Sequence, residues 1–155
     1  MLNLRDLKEF LVQAKKATYA SGNESLENKE VDGSTSLIFE NGDFKYHDNY
    51  FGGEPYGGRE VVFYKNKPVY MMVYYGQVDA GVSDLSLIYS FLRKALLLIP
   101  EDYPYRGPQE FREGGYIYIN ECLGGVDGFS GKECIEREGE TVYEARYAGG
   151  LVAQR

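Results

Sequence analysis

The feature that most limits the folds open to this chain is a strand-like block that occurs twice. Gly42, Phe44, Tyr46, Gly52 and Gly53 meet Gly114, Tyr116, Tyr118, Gly124 and Gly125, each 72 positions later by subtraction. After one inserted residue, Tyr56, Gly58, Arg59, Glu60, Val62, Val69, Tyr70, Tyr74 and Gly76 meet Phe129, Gly131, Lys132, Glu133, Ile135, Val142, Tyr143, Tyr147 and Gly149, now 73 positions later. Phe39 and Phe111 extend the first register upstream. Glycines, aromatics and charges staying in step over so long a stretch read as an internal duplication.

Each copy is preceded by a helix signal. Leu4, Leu7, Phe10, Leu11, Ala14 and Ala17 recur at helical spacing behind a capping Asn3, with Asp6 in the first turn. The polar run "SGNESLENKEVDG", residues 21–33, predicts a mobile loop. The runs "STSLIFE", "DFKYHDNYF", "EVVFYK" and "KPVYMMVYYG" are dense in β-branched and aromatic residues and predict four strands. A tight turn, "YKNKP", joins the last two, because Asn66 tolerates left-handed dihedrals. Ser83 is placed to cap a second helix, "DLSLIYSFLRKALLLI", with Leu85, Ile88, Leu92 and Ala95 on one face and Pro100 as its stop. The second strand block follows. "YKNKP" and "REGET" are too short for parallel crossovers. The expectation is a single α+β domain over residues 1–155, with repeats of about 1–78 and 79–155. It has a largely antiparallel sheet of six to eight strands, two helices on one face and pseudo-two-fold symmetry.

The stretch "YFGGEPYGGRE", residues 50–60, invites reading as a phosphate loop. Such a loop needs a helix N-terminus behind its glycines; here the next element is a strand. Its counterpart "CLGGVDGFSGKE" keeps the same order of Gly-Gly, aromatic, Gly, basic residue and Glu, as a strand connection with unusual dihedrals would. Glu60 and Glu133 are then expected to accept hydrogen bonds from glycine-loop amides or to face Arg59 and Lys132.

The net charge of −7 repels a phosphate backbone, and no Lys/Arg stripe overcomes it, which argues against direct nucleic-acid binding. No apolar run approaches the roughly 20 residues of a membrane span, and "MLNLRDLKEF" is not signal-like, so the expected address is the cytoplasm. Cys122 and Cys134 are too few for a disulfide framework and are expected as buried thiols, the alternative being a reactive pair facing one another on neighbouring strands. His47 is the only histidine, and no metal spacing or cofactor fingerprint accompanies it, so no metal and no cofactor are expected. "GVS" and "GFSG" do not fit a serine nucleophile elbow. Arg106, in "PYRGP", is expected to pair with a surface carboxylate, the alternative being an anion.

With period two, Phe44, Tyr46, Val62, Tyr64, Tyr70, Met72 and Tyr74 share a face, echoed by Tyr116, Tyr118, Ile135, Tyr143, Ala145 and Tyr147. This face should receive the helices. The opposite face is apolar in part, through Val61, Phe63, Val69, Met71, Val73, Tyr75, Ile117 and Ile119, and needs a cover. That cover is residues 21–33, the segment "PEDYPYRGP", a partner subunit or a ligand. The repeats also diverge most here. The candidate ligand or interface set is therefore Phe63, Met71, Val73, Tyr75, Ile117 and Ile119, with His47, Glu121 and Arg146 at the rim.

"KKATYASG", "YFGGEPYGGREVVFYKNKPVYMMVYYG", "PYRGP" and "VYEARYAGGL" together resemble an uncharacterised bacterial domain-of-unknown-function family, found alone or fused behind a helix-turn-helix. The resemblance covers nearly the whole chain and carries no activity or catalytic residues. It implies that in fused forms this part senses or dimerises. Three functional readings follow. The first is a non-catalytic cytoplasmic domain that homodimerises or binds a partner through the second sheet face. The second is a small-molecule-binding or sensor domain with a Tyr-lined pocket. The least supported is an enzyme with Asp48, Glu60 or Glu133 as general base.

Overall fold

A computed structural model describes every residue from Met1 to Arg155. Helix α1 spans Leu4–Ala17; the Asn3 side chain accepts the Arg5 N–H at 2.9 Å, and Leu7, Phe10, Leu11 and Ala14 are buried. Helix α2 spans Leu85–Leu96, and its cap is Asp84 rather than Ser83. The Asp84 carboxylate accepts the Leu87 N–H at 3.1 Å, three residues on, a reach that Ser83 would miss by one position.

The strands are β1 (Asn28–Lys29), β2 (Thr35–Asn41), β3 (Phe44–Gly52), β4 (Tyr56–Tyr64), β5 (Lys67–Val78), β6 (Glu110–Glu113), β7 (Tyr116–Gly125), β8 (Gly128–Arg137) and β9 (Glu140–Leu151). They form one antiparallel sheet in the order β1-β2-β3-β4-β5-β9-β8-β7-β6. Nine strands exceed the expected six to eight, because β1 and β6 are edge pieces of two and four residues, too short to show a period. Both helices lie on one face, over two core clusters that hold Tyr46, Val62, Tyr70, Met72 and Tyr147, and Tyr118, Ile135, Tyr143 and Ala145. No helix is long and apolar enough to cross a membrane.

The sheet centre is the β5/β9 pair, where Tyr74 lies directly opposite Tyr147. On either side the same local features recur. Lys65 and Asn66 turn with φ of 49° and 64°, Glu138 and Gly139 with 52° and 81°. A bulge follows Val62 in β4/β5 and Ile135 in β8/β9. The first bulge breaks the period of two and carries Val69, expected on the outer face, into the helix-side core.

Residues 21–33 are more ordered than a mobile loop. They include a 3₁₀ turn, Glu24–Leu26, and strand β1, and Glu27 accepts the Tyr50 hydroxyl at 3.0 Å. Glu24, Glu27 and Lys29 from this segment, and Tyr105 and Arg106 from "PEDYPYRGP", line the helix side of the sheet. Neither segment supplies the expected cover for the outer face.

Candidate functional site

Between the sheet, both helices and these two segments lies a cavity of about 640 Å³. Seven tyrosines line it: Tyr19, Tyr46, Tyr50, Tyr56, Tyr74, Tyr89 and Tyr105. Its floor is polar and set by register. Asp48 on β3 pairs across to Glu60 on β4, so two carboxylates stand side by side on the helix face. Both are buried, at 3% and 4% exposure.

Each floor group has a structural cause. Lys15, in the last turn of α1, lays its ammonium 2.7 Å from Glu60 and donates to the Tyr105 carbonyl at 2.5 Å. Glu60 therefore meets neither a glycine-loop amide nor Arg59, because the helix brings a buried cation to it first. Glu133, fully buried, takes Nε and Nη2 of Arg106 and the hydroxyls of Tyr118 at 2.5 Å and Tyr143 at 2.9 Å. Arg106 thus pairs with a core carboxylate rather than a surface one, and Glu133 does not face Lys132.

Glycines make room for the tyrosines. Gly58 lies opposite Tyr74, and a Cβ there would stand 2.7 Å from the Tyr74 hydroxyl and 2.4 Å from the Asn49 carbonyl. Bare backbone at this point lets the Tyr74 ring cross β4 and donate to Asp48 at 2.5 Å. Gly131 opposite Tyr147 does the same, and Tyr147 donates to Asn120 at 2.7 Å. The connection itself is fastened by Glu54, whose carboxylate accepts the Val78 N–H at 2.8 Å and the Tyr89 hydroxyl.

Burial and the adjacent Glu60 push the Asp48 carboxyl up to about 7, against the opposing pull of Tyr74, Lys15 and Arg106. Burial lowers Lys15, with Glu60 pulling the other way. Burial also raises Tyr46 and Tyr74, so both remain phenols. A carboxyl that titrates near neutrality inside a cavity can exchange a proton with a bound molecule or accept its hydrogen bond.

The outer-face set sits elsewhere. His47 shares a cross-strand row with Val61 and Met71, Val73 pairs with Arg59, and Tyr75, Arg146, Lys132 and Glu121 form another row. Ile117 and Ile119 are on β7, separated from β5 by β9 and β8, which present Glu144 and Cys134 between them. Phe63, Met71, Val73 and Tyr75 are brought together beside His47 and Arg146; the two isoleucines and Glu121 are not. Val73 and Tyr75 are 48% and 56% exposed. The cysteines are both free and only half-buried, and they do not face one another. Cys122 packs against the helix-side core, whereas Cys134 pairs with Ile119 and Glu144 on the other face.

Of the cavity residues, sequence reasoning named Asp48, Glu60 and Arg106 but did not join them, and it missed Lys15 at the floor and Tyr19, Tyr50 and Tyr89 in the wall. The legible signal was the glycine opposite a tyrosine, which recurs as Gly58/Tyr74 and Gly131/Tyr147.

No curated protein and no solved structure matches the chain. The profile of a family described as "Domain of unknown function (DUF5680)" matches residues 48–152, from the buried aspartate through the whole of β9. That span is more than half of the sequence and holds most of the cavity floor, and the chain belongs to this family.

Proposed function

We propose that the chain is a small-molecule-binding or sensor domain whose ligand occupies the tyrosine-lined cavity. The observation that carries the reading is the cavity itself: about 640 Å³, walled by seven phenol rings over a buried ionic floor, within the size range and composition of ligand sites. Buried ion pairs are weak contributors to stability, so two of them beneath a cavity argue for a role beyond packing. A thermal-shift screen against metabolites tests it. A binding compound raises the melting temperature in proportion to occupancy. The gain vanishes in Gly53→Trp, which places an indole at a cavity-lining position with open space around it. If no compound distinguishes the two proteins, the reading falls.

A second reading, homodimerisation through the outer face, draws on the exposure of Val73 and Tyr75 beside Phe63 and Met71. A second copy is the occupant it names. A strict monomer at micromolar concentration, unchanged by Val73→Glu, removes it.

We read residues 1–155 as one domain built from two copies of a unit, about 1–78 and 79–155. Support comes from the paired turns, the paired bulges and the Tyr74/Tyr147 pairing at the sheet centre. Two free thiols suit the reducing cytoplasm.

A further inference from the structure

The two half-sheets carry the same polar pattern, and only one of them is filled by the chain. In the second half Asn120 pairs across to Glu133, just as Asp48 pairs to Glu60 in the first. Asn120 is satisfied at both ends: its oxygen accepts from Tyr147, and its amide donates to the Gly107 carbonyl at 2.9 Å. Gly107 also donates its N–H to the Tyr118 hydroxyl at 3.0 Å, and the neighbouring Arg106 covers Glu133. The segment around residues 106–107 is thus a peptide seated on this pattern. In the first half no segment takes that place. Asp48 accepts from Tyr74 on one oxygen and from nothing on the other, although the residue is 97% buried by its 3% exposure and lines the cavity.

The charges around the cavity are unevenly matched. Lys15 holds Glu60, Lys29 holds Glu27 at 3.1 Å, and Arg106 holds Glu133. Asp48, Glu24 and Glu54 have no cationic partner, and against them stands only Arg93, whose guanidinium lies over the Tyr19 ring at 5.6 Å. The surplus is negative, and phenol faces attract cations.

We infer that the ligand is an organic cation, a protonated amine or guanidinium that donates to the free oxygen of Asp48 and is surrounded by the tyrosine rings. The inference rests on the cavity being a ligand site. Recognition would copy what the chain does with Arg106 at Glu133: a charge-assisted hydrogen bond to a buried carboxylate, flanked by phenols. The groups that face Asp48 are Glu60, Tyr74, Lys15 and Arg106, of which burial and Glu60 prevail and hold the carboxyl up. A bound cation reverses that balance, so binding favours the ionised carboxylate. Affinity for an amine that stays protonated therefore rises as pH passes upward through about 7.

The test uses three probes of similar shape, benzylamine, benzyl alcohol and benzoate, titrated at millimolar concentration into the whole chain and followed by NMR of the tyrosine rings. Benzylamine is expected to bind about tenfold more tightly than the other two, and Asp48→Asn, which reproduces the residue at position 120, to abolish that preference. The pH dependence on the unaltered chain is a second readout that needs no variant. Equal or tighter binding of benzyl alcohol or benzoate in the cavity overturns the cation inference and leaves the ligand-site reading standing. Retention of the amine preference in Asp48→Asn also overturns it. If none of the three perturbs a cavity tyrosine, both readings fall.

Discussion

Asp48→Asn should stabilise this protein at alkaline pH and leave it unchanged in acid. In the folded chain the Asp48 carboxyl titrates at about 7, against an ordinary value of 3.8. Between those limits the native state keeps a proton that the unfolded chain gives up, so rising pH favours unfolding. Above about 7 the deficit is complete, because burial and Glu60 then act on a full negative charge. The interval is worth up to about 4 kcal/mol. Asparagine keeps an oxygen for Tyr74 and has no charge to bury. Urea unfolding of both proteins across the pH range isolates the effect of Asp48 and the groups coupled to it, since titrating groups remote from it cancel in the difference. The curves should coincide below about pH 4 and diverge to about 2–4 kcal/mol in favour of the variant by pH 8, or roughly 5–15 °C in melting temperature. A difference that is flat with pH, or that favours aspartate as pH rises, would refute the reasoning: Asp48 would then be an ionised partner of Lys15.

Arg106→Met leaves the Glu133 carboxylate buried with two phenol donors only, and chemical denaturation should show a loss of about 3–5 kcal/mol. The double variant Arg106→Met, Glu133→Gln should lose less than the two single variants together. Gly58→Ala and Gly131→Ala each force a Cβ into a tyrosine, to 2.7 Å from the Tyr74 hydroxyl and 2.2 Å from Cζ of Tyr147. Each should cost about 1–3 kcal/mol, measured the same way. Oxidation should form no bridge between Cys122 and Cys134, checked as unchanged mobility on non-reducing electrophoresis, because the two thiols lie on opposite faces of the sheet.

The architecture was legible because its signals are local. Strand periodicity in Phe44–Tyr74 and Tyr116–Tyr147 marks one face as core, and that face receives the helices as the alternation requires. What escaped was set by non-local or very short features. Edge strands of two and four residues cannot display a period. A single bulge reversed the side of Val69. Strand order, which separates Ile117 and Ile119 from Met71 and Val73, depends on which hairpins meet at the centre, and no spacing within either hairpin encodes that.

The site was harder to read for a related reason. Its floor lies on the face that the alternation assigned to apolar packing, and charged residues there look like surface residues of a neighbouring row. Glu60 and Glu133 alternate with Val61 and Cys134, so parity alone could have placed them inward, beside Met72 and Ala145. Inward carboxylates need buried partners, and the chain offers two cations for that purpose: Lys15 at the end of an amphipathic helix and Arg106 between two prolines. Both bear on the same sheet face from elements distant in sequence. Counting inward charges gives three acids, Asp48, Glu60 and Glu133, against these two bases. The acid left over is Asp48, the one whose counterpart in the other half-sheet is a neutral asparagine. A sheet that places a neutral residue at this position in one half and an acid beside a cavity in the other has a chemical difference between its halves, and that difference is at Asp48.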